Sequence, residues 1–184
     1  TFMALDHAAK DQKINIKKVG ITGWSRGGAI SIMASEKKLR DALVDKNLYF
    51  AAAQPRSPPC WSIGMFKNPT PTPETKTWMV LGGADDYTAA EPCVELGKKI
   101  KANGGDIEVT VKKGWHHGFT ANYEEEYERD PMVFTECPGY FTNDDGTTSS
   151  SDPNYKWANP WWADKCIKRG AHICLLYTSP SPRD

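Results

Sequence analysis

A serine in a glycine-flanked turn constrains the fold of this chain more than any other feature. The turn is Gly23-Trp24-Ser25-Arg26-Gly27-Gly28; it follows the apolar run at 19–22 and precedes an apolar run with helical periodicity. Strand, tight turn and helix form the context that a Gly-x-Ser-x-Gly nucleophile elbow requires. We therefore expect strained backbone at Ser25, and we expect that Gly23 and Gly27 must lack side chains for strand and helix to pass closely.

A serine hydroxyl is a weak nucleophile until a base takes its proton and a carboxylate orients that base. Both residue types follow strand-like runs further along the chain. The apolar run at 77–81 leads to Asp85-Asp86, and the alternating run at 107–111 leads to His116-His117. The order Ser, Asp, His is the one found in α/β-hydrolases. Because ligands gather beyond the carboxyl ends of parallel strands, we expect these side chains to meet at one edge of a sheet.

The chain resembles the dienelactone hydrolase family of α/β-hydrolases over roughly residues 1–120. The similar segments are Gly23-Trp24-Ser25-Arg26-Gly27-Gly28, Gly82-Gly83-Ala84-Asp85-Asp86-Tyr87-Thr88 and His117-Gly118-Phe119. The resemblance implies Ser25 as nucleophile, Asp85 as orienting acid and His117 as general base. It also implies that the Arg26 backbone N–H helps to bind the oxyanion. The members that name the family carry cysteine where this chain has Ser25, so dienelactone does not follow as the substrate.

Neighbouring residues compete for two of these roles. We favour His117 over His116 as the base because His117 directly precedes Gly-Phe, as in the family. Asp86 is interpreted as a solvated turn carboxylate, although a shift of one residue between Asp85 and Asp86 stays open. The Arg26 side chain either binds a substrate carboxylate or pairs with a surface acid.

Aromatic side chains supply the candidate substrate contacts, which are Trp24 and Trp61. Trp61 and Phe66 lie in the proline-rich stretch 54–76, which we expect to cross the sheet as an irregular cover. These two aromatics either line the substrate pocket or seal the core. A second aromatic cluster comprises Trp157, Trp161 and Trp162. It either closes a core edge or forms a stacking platform.

The pattern as a whole predicts an α/β fold with a mostly parallel sheet flanked by helices. The predicted strands are 17–22, 48–53, 77–81 and 106–112, and the clearest predicted helices are Phe2–Gln12, 29–34 and Glu91–Asn103. A full α/β-hydrolase has a larger sheet, so we expect residues 1–173 to be the C-terminal part of one domain. We then expect the N-terminal strands and the second oxyanion N–H to be missing, and the isolated piece to be inactive and to fold poorly.

The C-terminal region carries little pattern. We expect residues 120–173 to hold an irregular, polar and tryptophan-rich segment. Residues 174–184 resemble translated sequencing-adaptor read-through, with a natural disordered tail as the alternative.

Charge and cysteine content bound the function classes. The chain has 23 basic and 23 acidic residues, a balance that does not favour nucleic acid as a partner, and no apolar stretch reaches membrane-spanning length.

Four cysteines, Cys60, Cys93, Cys137 and Cys166, allow three pairings. We favour Cys137 with Cys166, which suits a periplasmic or secreted enzyme; reduced thiols in a cytoplasmic protein are the alternative. No two cysteines have zinc-ligand spacing.

These features predict a serine hydrolase that cleaves small-molecule carboxylic esters or lactones through an acyl-enzyme, without a cofactor or metal. The alternatives are a prolyl-peptidase-like serine peptidase and a noncatalytic binding module on the same scaffold. A metal-dependent hydrolase that uses His116, His117 and the Asp85-Asp86 pair is a further alternative. The sequence leaves the oligomeric state open.

Overall fold

A parallel sheet of four strands forms the centre of the computed structural model, which describes residues 1–61, 65–120, 125–154 and 166–174. The strands are β1 (Gly20–Trp24), β2 (Ala52–Arg56), β3 (Lys76–Gly82) and β4 (Asp106–Lys112). They lie side by side in chain order, and each neighbouring pair is parallel. The carboxyl ends of all four strands therefore lie at one edge of the sheet, and the predicted α/β class is confirmed.

Four α-helices accompany this sheet within the described ranges: α1 (Phe2–Ala8), α2 (Arg26–Met33), α3 (Lys37–Leu43) and α4 (Ala90–Ala102). Helices α2 and α4 share one buried cluster with β3 and β4, which includes Ile32, Met79, Leu96 and Ile107. Helix α4 approaches the sheet closely at Gly97, where an added Cβ would lie 2.5 Å from a Val109 methyl. None of the helices in these ranges has the length and apolar character needed to cross a membrane.

The first two strands begin later than predicted, for different local reasons. The segment before β1 forms a 3-10 turn over Ile16–Lys18, capped by the Asn15 side chain. The apolar residues before β2 are not in the sheet, because Phe50 packs with Phe2 and Leu5 in a second buried cluster around α1. The apolar run at 48–50 therefore indicates residues that pack in the core and not the start of a strand.

Strand β2 also extends into the stretch that was predicted to be an irregular cover. Pro55 lies within it, opposite Gly23 of β1. The pairing of β2 with β3 skips Gln54 and Pro55 and resumes at Arg56 opposite Val80. A proline has no N–H to donate to a ladder, so an interruption on one side of β2 is the expected consequence.

The C-terminal region forms two antiparallel pairs. Strand β5 (Glu125–Val133) pairs with β8 (Lys168–Cys174), and β6 (Tyr140–Thr142) pairs with β7 (Thr148–Ser150). The prediction of an irregular segment is therefore wrong for these residues. Antiparallel ribbons with one exposed face need few apolar residues, and the charged run in β5 concealed the strand.

Cys174, the first residue of the predicted tail 174–184, belongs to a strand, because it is the last residue of β8. Residues 175–184 lie outside the described residues. The same holds for residues 155–165, which contain the cluster of Trp157, Trp161 and Trp162.

Two disulfides connect separate parts of the fold. The favoured pairing of Cys137 with Cys166 is confirmed, and it ties the segment after β5 to the residues before β8. The remaining pair, Cys60 with Cys93, links the loop after β2 to helix α4.

Strand β1 and helix α2 cross at a backbone-to-backbone contact. An added Cβ at Gly23 would lie 2.2 Å from the Gly27 carbonyl oxygen, and one at Gly28 would lie 2.8 Å from the Arg56 carbonyl oxygen. At Gly27 an added Cβ meets no atom of the described residues within 4 Å. The expectation that Gly27 must lack a side chain is therefore wrong. The crossing instead requires glycine at Gly23 and Gly28.

Gly23→Ala and Gly27→Ala form a matched pair that tests this crossing. We expect Gly23→Ala to lower the free energy of unfolding by at least about 2 kcal/mol, because backbone atoms cannot yield to the added methyl. Gly27→Ala should change it by less than about 1 kcal/mol, since alanine favours a helix and the space is open. Urea unfolding of both variants measures the difference. Equal destabilisation by the two substitutions would contradict the assignment.

Candidate active site

Ser25 occupies the turn between β1 and α2 in a strained conformation. Its φ is 54° and its ψ is −118°, a region that residues with side chains rarely adopt. The Ser25 N–H donates to the Arg56 carbonyl at 2.8 Å, which anchors the turn to β2. The side chain is half-buried and makes no capping hydrogen bond to α2. The strain predicted for a nucleophile elbow is therefore present at this residue.

Arg26 begins helix α2 directly after this turn. The first N–H groups of a helix have no acceptor inside the helix, and the helix dipole gives this end partial positive charge. The Arg26 N–H therefore has the backbone position expected of an oxyanion donor. Its side chain is exposed.

Asp85 and His117 form a buried pair beyond the ends of β3 and β4. The His117 Nδ1 atom lies 2.9 Å from Asp85 Oδ2, and the two side chains are 1% and 0% exposed. The other carboxylate oxygen, Oδ1, accepts the backbone N–H groups of Tyr87 at 3.1 Å and Thr88 at 2.7 Å. Because both carboxylate oxygens are hydrogen-bonded, the buried charge is satisfied and the side chain is fixed.

The contact with Asp85 decides which nitrogen of His117 carries the proton. An ionised carboxylate only accepts hydrogen bonds, so Nδ1 must be the donor and the neutral ring must carry its proton there. This leaves the lone pair on Nε2. The Nε2 atom is buried and has no hydrogen-bond partner among the described residues. An imidazole with a bare, oriented Nε2 is equipped to take a proton from a hydroxyl.

Two aromatic rings hold the His117 imidazole in place. Trp24 lies with its ring centroid 4.8 Å from that of His117, and Tyr87 contacts the same ring edge-on, also at 4.8 Å. Trp24 directly precedes Ser25, although His117 Nε2 makes no hydrogen bond to the Ser25 hydroxyl. The exposed fraction of Trp24 is 40%, which leaves part of the indole open to a bound molecule.

Thr88 and Ser57 support the pair, and sequence reasoning assigned neither of them a role. The Thr88 hydroxyl lies 2.9 Å from Asp85 Oδ2, 2.9 Å from His117 Nδ1 and 3.1 Å from the Ser57 carbonyl oxygen. Ser57 is buried and has a positive φ of 39° directly after β2. The Thr88 hydroxyl therefore lies between Asp85, His117 and the end of a third strand, and it donates its one hydrogen either to Asp85 Oδ2 or to the Ser57 carbonyl. In the sequence, this role is indicated by no more than the presence of a threonine three residues after Asp85.

Asp86 and His116, the alternatives to Asp85 and His117, lie beside other side chains. Asp86 pairs with His172 of β8, with Oδ2 2.7 Å from the ring Nδ1, and the His116 ring lies 5.1 Å from the His172 ring. The structure thus brings Asp85, rather than Asp86, to His117.

Trp61 does not join the site contacts described above. Its ring stacks on Phe134 at 5.4 Å, and its carbonyl oxygen accepts the Tyr140 N–H. These contacts tie it to the C-terminal strands, and its part in substrate binding stays a prediction.

Comparison with known sequences assigns the chain. The sequence profile of the dienelactone hydrolase family matches residues 1–132. The chain belongs to this family. The resemblance seen in the three motifs is therefore confirmed, and the family match includes the positions of Ser25, Asp85 and His117. No match was found among curated proteins.

Solved structures that resemble this family member are α/β-hydrolases and esterases. An alpha/beta hydrolase enzyme from a Medee basin deep-sea metagenome library aligns with a TM-score of 0.50 at 16% identity, over 65% of this chain and 48% of its own. A thermostable esterase aligns at 0.48 and 21% identity, over 61% of this chain and 27% of its own. A thermophilic esterase from the Planctomycetes species Thermogutta terrifontis aligns at 0.47 and 18% identity, over 63% and 51%. The chain thus spans about half or less of these proteins.

The Thr88 hydroxyl is tested by Thr88→Val against Thr88→Ser. We expect Thr88→Val to lower kcat/KM for a p-nitrophenyl ester about tenfold, because the hydroxyl that fixes Asp85 Oδ2 and His117 is lost. Thr88→Ser keeps the hydroxyl and should restore most of the rate. If both variants lose activity equally, the hydroxyl does not position the pair.

Proposed function

We propose that this dienelactone hydrolase family member is a serine hydrolase that cleaves carboxylic esters or lactones through an acyl-enzyme. The observation that carries the proposal is the buried Asp85–His117 hydrogen bond, which leaves Nε2 of the base unpaired. The strained Ser25 and the helix-terminal Arg26 N–H support it. The proposal concerns the whole protein, because the chain spans only part of its structural relatives.

In the acylation step, Ser25 Oγ attacks the carbonyl carbon of the ester while His117 Nε2 takes the hydroxyl proton. The carbonyl oxygen becomes an oxyanion, and the Arg26 N–H donates to it. A single oxyanion donor accounts for about 10²- to 10³-fold in kcat in well-studied hydrolases. When the tetrahedral intermediate collapses, the imidazolium returns its proton to the leaving alcohol, and the acyl group stays on Ser25.

In the deacylation step, water takes the place of the serine hydroxyl as the nucleophile. His117 Nε2 takes a proton from the water, the resulting hydroxide attacks the acyl carbon, and Ser25 leaves with the proton returned by the imidazolium. Asp85 remains ionised throughout and stabilises the charged ring. A lactone follows the same path, with the difference that the leaving alcohol stays attached to the acyl chain throughout, so deacylation releases one hydroxy acid instead of a separate alcohol and acid. No cofactor enters these steps.

A noncatalytic binding module would have no need for several features of this site that cost free energy. Burial of a carboxylate is unfavourable unless it is fully paired, and a strained serine conformation costs about 1–3 kcal/mol. A binding scaffold needs neither the Asp85–His117 pair nor the strain at Ser25. An acyl-transfer site needs both.

A fluorophosphonate probe tests the proposal directly. We expect the probe to form a covalent adduct on Ser25 of the purified whole protein, located by peptide mass spectrometry, and we expect Ser25→Ala to abolish labelling. Ser35→Ala is the matched control, because Ser35 follows the same helix but bonds to the Ser31 carbonyl. Its labelling should equal that of the wild type.

Two outcomes would contradict the proposal. Folded protein that hydrolyses an ester without being labelled at Ser25 would exclude the serine mechanism. Labelling that persists in Ser25→Ala would place the nucleophile elsewhere.

A further inference from the structure

A second cluster of polar side chains lies beside the Asp85–His117 pair. It consists of Asp86, His116 and His172, which come from the turn after β3, the loop after β4 and strand β8. One possible ligand atom from each side chain lies within 4.8 Å of the others. The three residues converge although His172 is far from the other two in sequence.

We propose that Asp86, His116 and His172 form a binding site for a divalent first-row metal ion, with Zn²⁺ as the best-suited cation. Two imidazoles and one carboxylate match the donor atoms that zinc prefers, and a three-ligand set leaves a fourth position for water. This site is separate from the proposed hydrolase mechanism and does not depend on it. Asp85 and His117 take no part, because they bond to each other.

The distances require little movement for a metal to bind. Zinc lies about 2.0–2.2 Å from nitrogen and oxygen ligands, so the ligands of a tetrahedral ion are about 3.3 Å apart. Asp86 Oδ2 and His172 Nδ1 are 2.7 Å apart, and the His116 and His172 ring centroids are 5.1 Å apart. The three donor atoms lie within 4.8 Å of one another, so side-chain movements of about 1.5 Å would bring them all to one ion. Coordination through His172 Nδ1 moves the proton of the neutral ring to Nε2.

Two of the ligands are already held in place. Asp86 Oδ1 accepts the backbone N–H of His172 at 2.9 Å, which leaves Oδ2 directed at the imidazole. The Tyr127 ring contacts the His172 ring edge-on at 5.0 Å. Outer contacts of this kind orient metal ligands and strengthen their binding. The Asp86 and His172 side chains are each 41% exposed, so an ion can reach them from solvent.

A metal ion here would fasten β8 to the loops that carry the acid and the base. Asp86 follows Asp85, and His116 precedes His117. Strand β8 already contacts the same loop, because the Cys174 N–H donates to the His117 carbonyl at 2.7 Å. The ion would add a second attachment, through side chains, between β8 and both loops. We therefore expect it to stabilise the fold around the site.

The spacing of these residues in sequence conceals the site. The metal hypothesis drawn from the sequence combined His116 and His117 with the Asp85-Asp86 pair. The structure divides those residues, with one histidine and one aspartate going to each of two sites. The third ligand comes from β8, a strand that the sequence did not reveal.

Zinc titration of tag-free protein by isothermal calorimetry tests the site. We expect one Zn²⁺ to bind per chain, and we expect Asp86→Asn and His172→Ala each to weaken binding by at least about 100-fold. Asp86→Asn keeps an amide oxygen for the His172 N–H, so the local fold should survive. His7→Ala is the matched control, since His7 is an exposed histidine on α1. It should bind zinc as the wild type does.

Thermal unfolding supplies a readout that is independent of calorimetry and of hydrolysis. At a zinc concentration 100 times the Kd, Tm of the wild type and of His7→Ala should rise by about 5 °C or more. Tm of His172→Ala should not respond. The site is excluded if the wild type binds no zinc, if His172→Ala binds it equally well, or if His7→Ala loses as much affinity.

Discussion

The hydrogen bond between Asp85 and His117 is the interaction on which the candidate site depends. A carboxylate removed from water is costly, and here four donors compensate for that cost: two backbone N–H groups, the Thr88 hydroxyl and the imidazole Nδ1–H. Three of these donors come from the short turn after Asp85 itself. The fourth comes from the loop after the next strand, so Asp85 holds the His117 ring in one orientation.

The parallel sheet explains why Asp85 and His117 meet and why Ser25 lies at the same edge. In a sheet whose strands run in one direction, every strand ends at the same edge, and the loops that follow are neighbours in space. Ser25, Asp85 and His117 each come shortly after a strand end. The close crossing of β1 and α2 then fixes Ser25 in its strained conformation, with its N–H anchored to Arg56 of β2. The strained backbone of Ser25 and the burial of Asp85 and His117 are therefore consequences of the same sheet topology.

Much of this arrangement could be predicted from the sequence, because its signals are local. Glycines around Ser25 mark the turn, an apolar run marks β3, an alternating run marks β4, and the order of the three residues indicates the fold. Other features depend on partners distant in sequence. Phe50 belongs to the core around α1, which only the packing of that helix reveals. The tolerance of Gly27 and the intolerance of Gly28 depend on which backbone passes nearby.

The supporting contacts were missed for the same reason. Thr88 and Ser57 come together across two loops, and His172 reaches Asp86 through a strand whose charged partner β5 hid its pattern. Short polar residues in loops have no periodicity that predicts a contact. The Cys137–Cys166 pairing is a long-range contact that was favoured because it brackets a polar loop, although the sequence does not choose among the three possible pairings.

The most direct measurement of the central claim is the tautomer of His117, read from the ¹⁵N chemical shifts of its ring by NMR at a pH where the ring is neutral. The account predicts a proton on Nδ1, shielded from exchange by Asp85, and an unprotonated Nε2. A neutral ring that carries its proton on Nε2 would contradict the account, because such a ring could not accept the hydroxyl proton of Ser25.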